Sequence, residues 1–305
     1  MNTFKFYKQS CMSTVLTIQN IKKNYGPIQA LKGIELNVPK SSVYGILGPN
    51  GSGKTTLLGI LLDVLKTDQG EYQWNEFNTA QQARQQIGSL LETPNFYHYM
   101  TAEDNLNIAA QIKQRGFDDV DRVLKQVNLY ERRHSKFSTF SLGMKQRLAI
   151  ASALLGKPSI LVLDEPTNGL DPVGIAEIRE LIIQLSHEGM TIIIASHMLD
   201  EIEKVCTHVA ILKLGNLIIE GSVGEVLNDE DTIEINASNR EKLIDVLKKF
   251  DGIKSMKLEK NIQLTLHPNR NIEQLNQYCF EHGIILNHII QRKRSLESKF
   301  MEITQ

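Results

Sequence analysis

At 305 residues, with 41% apolar and 23% charged side chains, the chain is long enough to bury one large core and a smaller one, as an ordinary globular protein does. A formal net charge of -1 weighs against a dedicated nucleic-acid binder, so no nucleic-acid partner is expected. Cys11, Cys206 and Cys279 are odd in number and scattered, which reads as reduced thiols in a reducing compartment rather than as a disulfide framework or a metal site.

The N-terminal stretch Met1–Ser13 carries no continuous apolar run and is not a secretory signal. It reads as a disordered extension over residues 1–13, and Met12 is an alternative start. Apolar runs such as Leu57–Leu62 and Ile192–Ala195 fall far short of the ~18 residues a membrane helix needs. Any service to a membrane would therefore be from its cytoplasmic side, through partners.

From Val15 onward, short β-rich runs alternate with helical patterns. Strands are expected at Val43–Leu47, Ile87–Leu91, Ile160–Leu163, Thr191–Ala195 and Val209–Leu212, each rich in Val, Ile or Leu as in a sheet buried on both faces. A helix is expected over Thr55–Leu65. Between Pro94 and about Gly156 the pattern is helix after helix, with Thr101 and Asp104 forming an N-cap signal, so a helical insertion spans about 95–156. After Gly224 the composition changes. Strands at Thr232–Ile235, Ser255–Leu258, Ile262–Leu266 and Ile284–Ile290 enclose helices at Arg240–Phe250 and Ile272–His282, the β-α-β-β-α-β order of a small ferredoxin-like unit. The expected domains are thus 14–224, an α/β core with a mixed sheet, and 225–305, a small α+β unit.

Gly48-Pro49-Asn50-Gly51-Ser52-Gly53-Lys54-Thr55, followed by Thr56, matches the phosphate-binding loop in full. Glycines let the backbone curl so that several N–H groups face phosphate oxygens. Lys54 adds a point charge, the Thr55 hydroxyl can ligate Mg²⁺, and the following helix turns its positive end to the same anion. Further on, Ile160–Leu163 ends in Asp164 and Glu165. Asp164 can reach the Mg²⁺ held by Thr55, and Glu165 is suited to accept a proton from an attacking water. Two surface carboxylates closing a strand is the blander reading, and the phosphate loop outweighs it. The core thus reads as a P-loop NTPase, with a nucleoside triphosphate and Mg²⁺ as the expected ligands; which triphosphate, and to what end, the two motifs leave open.

The segment Phe140-Ser141-Leu142-Gly143-Met144-Lys145-Gln146-Arg147 narrows the class. It resembles the signature sequence of ABC ATPases, and it precedes the acidic strand as in that family. The resemblance implies that Ser141 and Gly143 contact the γ-phosphate bound to an opposite subunit. It further implies that Tyr25 stacks on adenine, that Asn168–Asp171 communicates across a dimer, and that His197 senses the γ-phosphate. Lys54, Glu165 and His197 form the implied catalytic set. Within this segment two positions depart from the family pattern: Leu142 and Met144 stand where Gly and Gln are usual. Glu92 occupies the position of a Gln that touches Mg²⁺ and water and relays to the membrane partner. A Glu there is similar to a subgroup of exporters linked to resistance against bacitracin-like and lantibiotic peptides.

The resemblance implies an ATP-hydrolysing transporter subunit on the inner face of the membrane. Its partners would be transmembrane permease subunits and a second copy or homologous ATPase subunit, arranged head to tail. A non-transport ABC ATPase acting as an ATP-gated clamp is the alternative, although the chain has neither a second phosphate loop nor a long coiled coil. A P-loop kinase would have no use for Ser141 or His197. In the tail, Leu296, Phe300 and Ile303 share one face of a short helix, and Arg292–Arg294 reads as a solvated basic face.

Overall fold

The computed structural model describes residues 13–91, 95–227, 232–267, 269–292 and 295–304. The chain divides into two units, Met1–Val223 and Gly224–Gln305. The first opens with strands β1 (Thr14–Tyr25), β2 (Ile28–Pro39) and β3 (Val43–Leu47), then helix α1 (Lys54–Leu61), β4 (Gln69–Trp74), α2 (Ala80–Gln86) and β5 (Ile87–Leu90). Helices α3 (Ala102–Lys113), α4 (Val120–Gln126) and α5 (Leu142–Leu154) follow, and then β6 (Ile160–Asp164), α6 (Pro172–His187) and β7 (Thr191–Ser196). It continues with α7 (Leu199–Glu203), β8 (His208–Lys213) and β9 (Asn216–Ser222), and the short α8 (Val223–Val226) leads into the second unit.

The six-stranded sheet has the order β5-β6-β7-β3-β8-β9. All neighbours are parallel except β8 and β9, which makes the sheet mixed. Every residue of β3, β6 and β7 is buried, as their unbroken Val, Ile and Leu content requires of central strands covered on both faces. Within this sheet, the phenol of Tyr44 on β3 donates to Glu220 Oε1 at 2.9 Å, and burial raises the tyrosine pKa so that the proton stays on oxygen.

The strands expected for this sheet all form, but a second sheet, antiparallel in the order β2-β1-β4, escapes the sequence reading. The physical reason is broken alternation. β1 pairs with β2 through repeated register shifts, Asn20 has φ 50°, and the strand's last four residues, Lys22–Tyr25, are half-buried or exposed with no alternation, so the period of two is lost. β4 is mostly polar and exposed until Trp74.

Helix α1 ends at Leu61, not at Leu65 as the apolar pattern suggests. Asp63 turns left-handed at φ 59°, and the N–H groups of Val64 and Leu65 both return to the Gly59 carbonyl at 2.9 Å. Leu65 thereby packs back on the core, keeping the apolar period without the helix. Trp74 Nε1 donates to the Leu61 carbonyl at 3.0 Å, satisfying one of the oxygens the helix end leaves open.

Among the described residues from 95 to 159 no strand forms, in keeping with a helical insertion. Thr101 and Asp104 make a complete capping box: the Thr101 hydroxyl accepts from the Asp104 N–H at 3.1 Å, and Asp104 accepts from the Thr101 N–H at 3.3 Å. Cys206 and Cys279 are buried free thiols, whereas Cys11 and the proposed N-terminal extension lie outside the described residues.

The second unit contains β10 (Thr232–Ala237), α9 (Arg240–Leu247), β11 (Ile253–Leu258), β12 (Ile262–Leu266), α10 (Ile272–Glu281), β13 (Leu286–Arg292) and α11 (Leu296–Thr304). Its sheet runs β11-β12-β10-β13 with every pairing antiparallel, the ferredoxin-like arrangement. Observed bounds differ from the sequence reading by a few residues, the usual spread where strand and helix ends fray. Ile233, Ile235, Leu243, Leu264 and Leu275 fill its core. Leu296 of the last helix is buried; the side chain of Ile303 and the cluster at 292–294 lie outside the described side chains.

Asp119 joins two parts of the helical segment. It accepts from Arg122 through Nε at 2.8 Å and Nη2 at 2.9 Å, and from the Gly156 N–H at 2.9 Å. The Arg122 hydrogen bonds hold its carboxyl below the ordinary aspartate range. Because the folded-state value is depressed, this stabilisation is present above the unfolded-chain value and is lost as pH falls through the folded value. Asp119→Ala is expected to cost about 1–2 kcal/mol. Thermal melts should show the gap between wild type and variant at neutral pH and its closing in acid.

Candidate functional site

Strands β6, β7 and β3 are consecutive and parallel in the sheet, so their carboxyl ends share one edge, where open α/β sheets place their ligands. The loop Gly48–Gly53 leaves β3, Glu165 follows β6, and His197 follows β7. Backbone bonds draw the three ends together: Gly48 N–H donates to Ser196 O at 3.3 Å, and Glu165 N–H donates to Ala195 O at 2.9 Å.

Lys54 is only 5% exposed. Its Nζ donates to the carbonyls of Gly48 at 2.9 Å and Pro49 at 3.3 Å, and it lies 3.4 Å from Glu165 Oε1. A buried ammonium is tolerated only with such compensation. The other carboxylate oxygen of Glu165 lies 2.8 Å from His197 Nδ1 and accepts from the His197 backbone N–H at 3.4 Å. Glu165 therefore bridges a cation and an imidazole, joining the three residues of the expected catalytic set. It has φ 48°, a left-handed backbone costing on the order of 1 kcal/mol, which turns its side chain toward both partners.

The phosphate loop is built on close backbone approach. Gly53 has φ +105°, and a β carbon there would come within 2.7 Å of both the Ala30 carbonyl oxygen and Leu31 Cδ2. Gly53 is also the N-cap of α1 and carries no capping side chain, so first-turn N–H groups remain available to an anion.

A cleft of about 940 Å³ opens over this loop, lined by Asn50, Gly51, Gly53, Lys54, Thr55 and Thr56. Glu165, which follows β6, also lines it, as does Tyr25 at the turn that joins β1 to β2. Ser52 and Asp164 are buried, while Pro49 is an exposed residue of the loop. The Thr55 hydroxyl and the Asp164 carboxylate are hard oxygen donors of the kind Mg²⁺ takes in small number, its remaining positions going to phosphate and water. The residues present thus fit that ion. Among the described residues no group of three His, Cys, Asp or Glu forms a metal cage.

Ser141, Gly143 and Asp171 are elsewhere: none of them lines this cleft. Ser141 caps α5, its hydroxyl accepting from the Met144 N–H at 3.3 Å. Asp171 caps α6, accepting from the Gly174 N–H at 2.9 Å. The two helix starts are tied by Arg147 and Glu177, 3.5 Å apart. Glu92 lies outside the described residues. Two apolar lining residues, Ile28 and Leu214, escape the sequence reading, because neither belongs to a motif that the residues themselves announce. Among the described residues no helix is long and apolar enough to cross a membrane.

Comparison with known proteins places these features in a family. Residues 31–168 match the family model described as "ABC transporter". The chain is 32% identical to the bacitracin transport ATP-binding protein BcrA of Enterococcus faecalis, over 96% of this chain and 97% of that protein. It is 39% identical to the lantibiotic transport ATP-binding protein SrtF of Streptococcus pyogenes, over 68% of this chain and 90% of that protein. Among solved structures, the dimeric structure of MJ0796, a bacterial ABC transporter cassette, is similar with a TM-score of 0.60 and 28% identity, covering 68% of this chain and 98% of that one. A post-hydrolysis state of the same cassette bound to ADP and Pi is similar to the same degree, with a TM-score of 0.60, 28% identity and the same coverage of 68% and 98%.

Gly53→Ala forces a β carbon against the Ala30 carbonyl at a positive φ. A loss of about 2 kcal/mol or more in stability is expected, together with weaker nucleotide binding. Denaturant unfolding and nucleotide titration of the variant check both.

Proposed function

The chain belongs to the family of ABC transporter ATP-binding proteins, and from that premise we propose that it works as one half of a head-to-tail ATPase pair driving export through separate permease subunits. It binds ATP and is an ATPase, as its family is. The paired arrangement, with a second copy or a homologous subunit, and the place at the cytoplasmic face of the membrane are parts of the proposal. The observation that carries it is the separation of two half-sites. Lys54 and Glu165 line one cleft, with His197 held on the second carboxylate oxygen of Glu165, and Ser141 and Gly143, suited to an anion by their helix start, lie outside its lining.

The cargo we propose is a peptide antibiotic of the bacitracin or lantibiotic kind. Its support is that similarity to BcrA extends over 96% of this chain, thus including the Gly224–Gln305 unit, well beyond the ATPase core.

In the proposed reaction the loop N–H groups, α1 and Lys54 bind the β- and γ-phosphates and stabilise charge as it develops on the transferred phosphoryl group. Thr55 and Asp164 would hold Mg²⁺, which supplies further neutralisation of phosphate charge when bound. Glu165 orients the attacking water and takes its proton. His197, on the far carboxylate oxygen at 2.8 Å, keeps that carboxylate turned toward the cleft. Phosphate oxygens and the Glu165 carboxylate compete for the same Lys54 ammonium, so nucleotide binding frees the carboxylate to act on water. Tyr25 stacks on the base, and Ser141 and Gly143 of the opposing copy close over the γ-phosphate, with Asp171 at the junction. Hydrolysis removes the shared ligand, the halves part, and the motion passes through the region of Glu92 to the permease.

Glu165→Gln should bind ATP, accumulate as a dimer on size-exclusion chromatography with light scattering, and lose turnover by at least about 100-fold. Normal hydrolysis by that variant would refute the base assignment. Lys54→Ala should lose nucleotide affinity in direct titration, and unchanged binding would remove the phosphate-cradle assignment. Stimulation of the ATPase rate by a co-purified membrane protein tests the transport role.

A further inference from the structure

Three exposed apolar side chains share the nucleotide cleft with the charged phosphate cradle. Tyr25 is 47% exposed, Ile28 66% and Leu214 67%. They come from two separate turns: Tyr25 and Ile28 flank the Gly26-Pro27 turn between β1 and β2, and Leu214 tops the turn between β8 and β9.

Leu214 brings nothing to the fold that would explain it. It buries little surface, and it sits at φ +49°, where a non-glycine side chain costs on the order of 1 kcal/mol. An exposed, strained leucine whose neighbours line a ligand cleft is the pattern of a contact residue rather than of a core residue.

Its turn is also held firmly against the phosphate loop. Gly215 N–H donates to the Ser52 carbonyl at 3.1 Å, and the Gly215 carbonyl accepts from Lys32 N–H at 2.8 Å. A β carbon on Gly215 would lie 2.7 Å from the Ala30 carbonyl, the same oxygen that crowds Gly53. The turn, β2 and the phosphate loop thus meet around one carbonyl, and Leu214 is presented at a set position relative to Lys54.

We propose that Leu214 and Ile28 form, with Tyr25, the apolar seat for the base and ribose of the bound nucleoside triphosphate. This rests on the nucleotide site described above and extends it to two residues outside the family motifs. An aromatic face alone covers one side of a base; two aliphatic side chains from other turns remove further ring and sugar surface from water. The seat and the cradle are parts of one cleft, so a single ligand with an apolar head and a triphosphate tail fills both.

The test uses the full chain, diluted until sedimentation shows single copies, with ATP and inorganic tripolyphosphate as probes. Leu214→Gly relieves the left-handed backbone and removes only the side chain, so its melting temperature should be unchanged or higher. Its ATP affinity should fall about 5–10-fold while tripolyphosphate binding stays within about twofold of wild type. Ile28→Ser should shift in the same direction. Unchanged ATP affinity would overturn the proposal, as would equal weakening of both probes, which would assign these residues to the phosphate loop instead. Intact ATP affinity with lost self-association would assign the surface to a second copy and also overturn it. Lys54→Ala serves as the reference, weakening both probes; if the wild-type chain bound neither probe, the nucleotide site itself would fall and this seat with it.

Discussion

A buried lysine ammonium is the constraint around which the first unit is organised. Lys54 is nearly closed off from water, and leaving that charge uncompensated would cost several kcal/mol. Compensation comes from two loop carbonyls and from Glu165 at 3.4 Å, and these groups belong to different strand ends. Keeping them within reach requires β3, β7 and β6 to be neighbours with their carboxyl ends together, which a parallel sheet supplies. The same requirement explains why Glu165 accepts a left-handed backbone.

That arrangement also decides what one copy can do. The cleft gathers the groups proposed to bind and polarise a triphosphate, while Ser141 is engaged in capping α5 and lies outside the cleft's lining. A cap hydroxyl and free helix-start N–H groups are a reserve of anion-binding capacity, but they must be brought to a ligand held elsewhere. In the proposed pairing, association between copies unites the two halves, with the nucleotide as their shared contact.

The departures from the family signature acquire a physical reading. Leu142, in place of a glycine, is 52% exposed, and its Cδ2 would lie 3.3 Å from a β carbon on Gly169. It therefore lies over the loop that leads to Asp171 without disturbing the Ser141 cap. Gly143 faces Gly174, with 3.9 Å between its would-be β carbon and the Gly174 Cα, so the starts of α5 and α6 approach closely. The substituted positions leave Ser141 and Gly143, the pair proposed to face the γ-phosphate, in place at the helix start.

How much of this was legible follows from which interactions are local. A phosphate loop is a contiguous backbone device, and central strands of a parallel sheet are unbroken apolar runs; both can be read from the residues alone, as could the capping box of α3 and the β-α-β-β-α-β order of the second unit. The β2-β1-β4 sheet could not, because bulges and polar exposed residues erase its alternation. Nor could the true end of α1, where Leu65 keeps the helical period after the chain has turned back on Gly59. The position of Leu214 beside Tyr25 and Ile28 was decided by tertiary structure alone: the two turns lie far apart in sequence and meet through contacts around Ala30, which no local pattern records.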